Sequence, residues 1–152
     1  MTEKNPEYPL IGPDITPGEY RGALTIAVDK RGHALLQMRD DIEGIIAPGR
    51  WGFFGGGVEA GEDLQTAASR EFLEETGLAF DRGEFLPFAS VVSTLPHHGL
   101  LYVHVLKRPI PPQDIRLGEG SGFAFGSPGQ VEKLDLIPYL KTVLDRYFAT
   151  RP

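Results

Sequence analysis

Three consecutive glycines followed closely by a run of carboxylates constrain this chain more than any other feature. The stretch GGGVEAGEDLQTAASREFLEETG, Gly55 to Gly77, sets Glu59, Glu62, Asp63, Glu71, Glu74 and Glu75 against one base, Arg70. Asp63 suits a helix N-cap and Gly77 the position just past the last turn, so a helix is expected between them. Carboxylates three and four residues apart repel and should weaken such a helix. On a wheel at about 100° per residue, Glu74 falls near −60° and Glu75 near +40° from Glu71. Leu64, Ala67 and Ala68 lie on that same face, with Thr66 and Ser69 opposite. The acids therefore follow the small apolar residues that point toward a core. Burying an unpaired carboxylate is costly, and three together raise one another's pKa. A hard divalent cation would remove the conflict by taking their oxygens as ligands. From the helix alone, a solvated acidic patch with Leu73 on the far side stays open.

The glycines let the backbone approach a ligand closely, with carbonyl oxygens in reach of a cation. No Gly-Lys-Ser/Thr follows, so this is no Walker A loop, and the Asp-rich run of an EF-hand is absent.

The other 129 residues of the 152 frame this segment. Hydrophobic residues make up 41% and charged residues 24%, ordinary globular usage. There is no cysteine, which excludes thiol catalysis and thiolate zinc sites. A net charge of −6 argues against nucleic acid as a partner. No run approaches the roughly 18 apolar residues of a membrane span, and MTEKNPEYPL lacks an apolar signal core. The expectation is a soluble cytoplasmic protein with no membrane partner.

Residues 1–18 carry Pro6, Pro9, Pro13 and Pro17 and read as an extended arm, with 19–152 as one domain. The arm leaves a homodimer open. Gly22–Asp29 and His33–Asp40 read as a hairpin around Lys30-Arg31-Gly32. Trp51–Phe54 reads as a short strand ending at the glycines. Glu84–Thr94, Leu100–Arg108 and Gly122–Phe125 are further strands. A C-terminal helix opens at Ser127-Pro128 and should break near Pro138. This order predicts an α+β fold with a mixed sheet between helices.

At fixed spacing the acidic segment resembles the Nudix box, Gly-x5-Glu-x7-Arg-Glu-U-x-Glu-Glu-x-Gly-U, where U is bulky and aliphatic. Gly56, Glu62, Arg70, Glu71, Glu74, Glu75, Gly77 and Leu78 fill their positions. Phe72 departs from the pattern at the first U. Upstream, WGFFGG resembles the family's aromatic-x-Phe-Pro-Gly-Gly, with Phe54 in place of proline. The resemblance implies a Nudix α/β/α sandwich that hydrolyses a nucleoside diphosphate linked to another group, using Mg²⁺ or Mn²⁺. It implies Glu71, Glu74, Glu75 and the Gly56 carbonyl as metal ligands. Arg70 would orient the acids and Glu62 support them. A further ligand or general base is expected from Glu119, in the late loop LGEGSG, and a substrate contact from Arg39. The expected substrate is a small nucleotide, with nucleoside triphosphates and nucleotide sugars favoured. A base could stack on Trp51, Phe53 or Tyr102. A nucleotide sensor of the same fold, without turnover, is the alternative. A glycoside hydrolase would also use paired carboxylates, but has no need of this Gly-Glu-Arg-Glu spacing.

Overall fold

A computed structural model describes residues 5–39, 49–118 and 122–150. The elements run β1 (Arg21–Ile26), β2 (Ala34–Met38), β3 (Trp51–Gly52), β4 (Phe54–Gly57), α1 (Leu64–Thr76), β5 (Phe85–Val92), β6 (Leu100–Leu106), β7 (Gly122–Gly126), α2 (Pro128–Val131) and α3 (Pro138–Thr150). One sheet has the order β4-β1-β6-β5 and the other β3-β2-β7. The β1–β6 pair is parallel and the remaining ladders are antiparallel. The fold is α+β, with mixed sheet structure between helices as expected.

Side-chain alternation along β1 divides the core. Ala23 faces α1 and packs with Ala67, Ala68, Phe72, Phe54 and Phe85. Leu24 and Ile26 face the other way, into a cluster with Val91, Val103, Val143 and Leu144 of β5, β6 and α3. The acidic helix and the C-terminal helix thus cover opposite sides.

Two expectations need correcting, and a third holds with its extent defined. First, β1 and β2 do not form a two-stranded hairpin. Both edges of β1 are taken, by β4 and by β6, so the two arms pair only next to the turn, through the Val28–Ala34 bridge and the flanking Leu35–Ala27 and Asp29–His33 bonds, and β2 enters the second sheet. Asp29 makes the turn between them, its Oδ1 accepting from the N–H groups of Arg31 and His33. Second, Trp51–Phe54 is not one strand that stops at the glycines. It divides at the buried Phe53, and Gly55, Gly56 and Gly57 are themselves the strand β4, paired with Leu24, Ala23 and Gly22. Third, the break expected near Pro138 is present and spans residues 132–137. Backbone there pairs with Trp51, whose N–H donates to Asp135 and whose carbonyl accepts from Ile137. Pro138 then begins α3.

The arm is seated on the free edge of β5. Ser90 N–H donates to Pro9 O and Ile11 N–H to Ser90 O, at 2.9 and 2.8 Å. That contact covers part of an edge strand that would otherwise offer unpaired backbone groups. Tyr8 is buried, and its hydroxyl lies 2.8 Å from His104 Nε2. His104 Nδ1 lies 3.0 Å from the Leu24 carbonyl. A carbonyl only accepts, so Nδ1 carries the proton and Nε2 accepts from the Tyr8 hydroxyl.

Burial pushes His104 down from its ordinary value to about 4, against the opposing pull of the Leu24 carbonyl. The unfolded chain therefore binds a proton that the folded one refuses between pH 6.5 and 4. Stability is fully present above pH 6.5 and falls as pH drops toward 4, by about 3 kcal/mol at 1.36 kcal/mol per unit. Urea unfolding measured across this range should show the loss in wild type, and His104→Gln should remove that component.

Candidate active site

Local chemistry sets the acidic helix in place. Asp63 Oδ1 accepts from Thr66 N–H at 2.8 Å, and Gly77, at φ 76°, returns its N–H to Leu73 O at 2.9 Å. Only a residue at ease with positive φ closes a helix this way. The anticipated N-cap and terminator are both in use.

Arg70 gathers the groups around it. Its Nε and Nη2 each lie 2.8 Å from one oxygen of Glu62, a bidentate pair. Nη1 donates to Glu71 Oε1 at 2.9 Å and reaches Glu74 Oε1 at 3.5 Å. Nη2 also donates to the Gly57 carbonyl at 3.0 Å. One guanidinium therefore ties β4, the intervening loop and α1 together. Glu62 is held down at about 2, chiefly by Arg70 and also by the Glu59 N–H. The same bonds raise Arg70, which stays cationic throughout.

The three helix acids lie in three different environments. Glu75 is 2% exposed, and its Oε1 accepts from Gly55 N–H at 2.7 Å while Gln37 Nε2 approaches Oε2 at 3.5 Å. The Glu71 side chain is 16% exposed, that of Glu74 58%. The wheel's prediction of acids turned toward the core holds fully for Glu75, partly for Glu71, and not for Glu74. Gly56 faces Glu71 so closely that an added Cβ would sit 2.5 Å from its carboxyl group. The chain thus presents carboxylate oxygens against bare backbone, a donor set that fits a hard dication. Among the described residues no three acids or histidines converge into a ligand set. Glu75 is turned to Gly55, while Glu71 and Glu74 are turned to Arg70. Glu119 lies outside the described residues.

Beside Gly55 and Gly56 a cleft opens, walled by Tyr20, Arg39, Phe53, Leu101 and, from α3, Tyr139 and Leu140. Among the described residues no acid lines the cleft, and it adjoins the acidic helix only through Gly55 and Gly56, whose backbone meets Glu75 and Glu71.

A sequence model of the NUDIX domain matches residues 19–146. The chain belongs to the Nudix family. It is 43% identical over 56 residues to an oxidized purine nucleoside triphosphate hydrolase of Danio rerio, a match spanning 37% of this chain but only 34% of that protein. The crystal structure of a MutT protein from Methanosarcina mazei Go1 superposes with a TM-score of 0.69 at 19% identity, over 95% of this chain and 97% of that one. A bifunctional NMN adenylyltransferase/ADP ribose pyrophosphatase from Francisella tularensis, solved with AMP and an Mn ion, gives a TM-score of 0.68 at 13% identity, over 90% of this chain and 43% of that one. At these identities the two structural likenesses are of fold.

The two departures from the Nudix pattern touch each other. Phe54 and Phe72 pack edge to face with centroids 6.4 Å apart, and Phe72 continues onto Phe85 at 5.9 Å and Phe80 at 6.1 Å. Aromatic pairs of this geometry add about 0.5–1.5 kcal/mol beyond their burial. An aromatic ring at each Nudix position serves one cluster beneath the helix.

Of the aromatic residues considered for base stacking, Phe53 reaches the cleft. Tyr102 does not: it is 5% exposed and packs edge to face against Tyr8 in the core, because alternation along β6 turns it away. Tyr20 and Tyr139, unmarked by any motif, line the cleft instead. Burial and the Glu71 carboxylate raise the Tyr20 phenol, which keeps its proton as a donor.

Replacing Arg70 with lysine leaves one ammonium for a fork that now serves two oxygens of Glu62, Glu71 and a carbonyl. In carboxyl NMR titrations Glu62 should rise from about 2 toward its ordinary range in Arg70→Lys. A Glu62 unmoved by that change would deny the clamp.

Proposed function

We propose that this chain is a pyrophosphohydrolase that cleaves a phosphoanhydride bond in a nucleoside diphosphate linked to another moiety, with a divalent cation as cofactor. The observation that carries the reading is the Arg70 clamp, which fixes Glu62 and Glu71 beside the bare Gly56 backbone at the mouth of an aromatic-walled cleft.

In this reading Glu71, Glu74, Glu75 and the Gly56 carbonyl hold Mg²⁺ or Mn²⁺, with Glu119 as a further ligand. When bound, the cation supplies the positive charge and Lewis acidity that an anionic diphosphate needs to approach a protein of charge −6. Arg70 keeps Glu71 oriented and Glu62 supports Arg70. A carboxylate, Glu119 or one of the helix glutamates, takes the proton from the attacking water. Support for Glu119 comes from its neighbour: Gly118 N–H donates to the Glu75 carbonyl at 2.8 Å, and a Cβ on Gly118 would sit 2.3 Å from the Glu74 carbonyl oxygen. The chain leading into Glu119 is thus fastened to the acidic end of α1. Arg39, on the cleft wall, contacts the substrate.

A nucleoside triphosphate is the favoured substrate. The activity of the Danio rerio relative supports that class, and the cleft walls offer aromatic faces to a base. In this reading the arm, residues 1–18, takes no part in the chemistry, and 19–152 is the catalytic unit, in the cytoplasm.

Phosphate release should be screened over nucleoside triphosphates, nucleotide sugars, ADP-ribose and dinucleoside polyphosphates, with Mg²⁺, with Mn²⁺ and after chelation. Turnover of at least one compound, lost on chelation, is expected. Glu74→Gln should lower kcat by about 10²–10⁴-fold with the melting temperature retained, since this side chain is largely exposed. Metal-dependent nucleotide binding without turnover would favour a sensor of the same fold.

A further inference from the structure

Tyr20 stands at an unusual place. It is 48% exposed, yet its ring lies across backbone that three strands leave bare. A Cβ on Gly99, just before β6, would sit 2.9 Å from Tyr20 Cδ2. One on Gly22 of β1 would be 3.1 Å from Cε2, and one on Gly57 of β4 would be 3.5 Å from Cε1 and 3.7 Å from the hydroxyl oxygen. Gly22 and Gly57 are direct register partners, so these glycines form one continuous floor. A side chain at Gly99 would push the ring away, and one at Gly22 would meet Leu101 at 2.8 Å as well as the ring.

The ring's direction gives the floor its meaning. Its apolar base lies by Gly99, and its polar tip lies by Gly57. The Gly57 carbonyl is the one Arg70 holds, and the neighbouring Gly56 faces the Glu71 carboxyl group. Side chains alternate along a strand, so the phenol and Glu71 lie on opposite faces of β4, and the phenol ends over Gly57 on the cleft side, on a wall it shares with Arg39. A neutral donor suits this position. It can meet a phosphate oxygen without adding charge to a site already crowded with ions, and without competing with the carboxylates for a cation.

We propose that Tyr20 is a substrate-binding residue whose hydroxyl donates a hydrogen bond to a phosphate oxygen of the bound nucleotide, held in aim by the glycine floor. This rests on the proposed pyrophosphohydrolase reading, and it adds a donor that no residue of the Nudix box supplies. A hydrogen bond to a charged acceptor contributes roughly 1.5–3 kcal/mol, which corresponds to about a 10- to 100-fold change in affinity.

Binding of a non-hydrolysable nucleoside triphosphate analogue, measured calorimetrically with Mn²⁺, tests the inference apart from turnover. Tyr20→Phe keeps the ring and removes the hydroxyl, and it should weaken binding about 10-fold or more with an unchanged melting temperature. Gly99→Ala keeps the hydroxyl but displaces the ring, and it should weaken binding in the same direction. With a turned-over nucleotide, Tyr20→Phe should raise KM by a similar factor with kcat little changed. Wild-type affinity in Tyr20→Phe overturns the role of the hydroxyl while leaving the hydrolase reading intact. If Tyr20→Ala alone is weak, the ring acts by stacking and the phosphate contact is refuted. Failure of the wild type to bind any nucleotide overturns the hydrolase reading itself, and the Tyr20 contact with it.

Discussion

The site depends on one guanidinium. Arg70 bonds to a loop acid, a helix acid and a strand carbonyl at once, and so ties the loop to both α1 and β4. Its value is geometric more than energetic. A partly exposed ion pair in water contributes little, but a planar fork with several acceptors fixes orientation. Arg70 holds the Glu62 carboxyl well below the ordinary carboxylate range, so this part of the clamp is an ion pair at neutral pH. Glu71 then has one direction left to face, the bare backbone of Gly56.

The remainder of the fold maintains this arrangement from below and behind. Phe72 drives α1 onto the sheet through Phe54 and Phe85, so the helix face that carries the acids is set by an aromatic cluster on the next face around. Glu75 is drawn into the interior and answered there by a backbone N–H of the glycine strand. The same glycines serve three purposes: they pair in the sheet, give the acids room, and make part of the floor under Tyr20. Behind the sheet, the arm closes an edge and is fastened by Tyr8 to His104.

Much of this was legible in the sequence because it is local. Asp63 and Gly77 mark the ends of α1 by chemistry that acts within one turn, and Ser127 with Pro128 does the same for α2. The spacing of Gly56, Glu62, Arg70, Glu71, Glu74 and Glu75 is likewise readable without tertiary knowledge. Pairing partners are different. Nothing within β1 or β2 states that β6 will lie parallel to β1 and displace its sequence neighbour, since that pairing joins residues some eighty positions apart. The broken C-terminal helix was visible as a proline, but its cause, a strand-like exchange between Trp51 and residues 135–137, was not. Tyr20 escaped notice for a related reason. Its seat is assembled from Gly22, Gly57 and Gly99, each of which reads alone as a plain turn or strand glycine. Tyr102, inside β6, went to the core instead, because its place in the ladder turns it away from the cleft.

The central claim is that a divalent cation is held between the α1 glutamates and the Gly56 carbonyl. Anomalous diffraction from crystals grown with Mn²⁺ addresses it most directly. The account predicts a manganese peak within coordination distance of the Gly56 carbonyl oxygen and at least two of Glu71, Glu74 and Glu75. A fully occupied manganese elsewhere on the molecule, with these side chains still turned to Arg70 and Gly55, would contradict it.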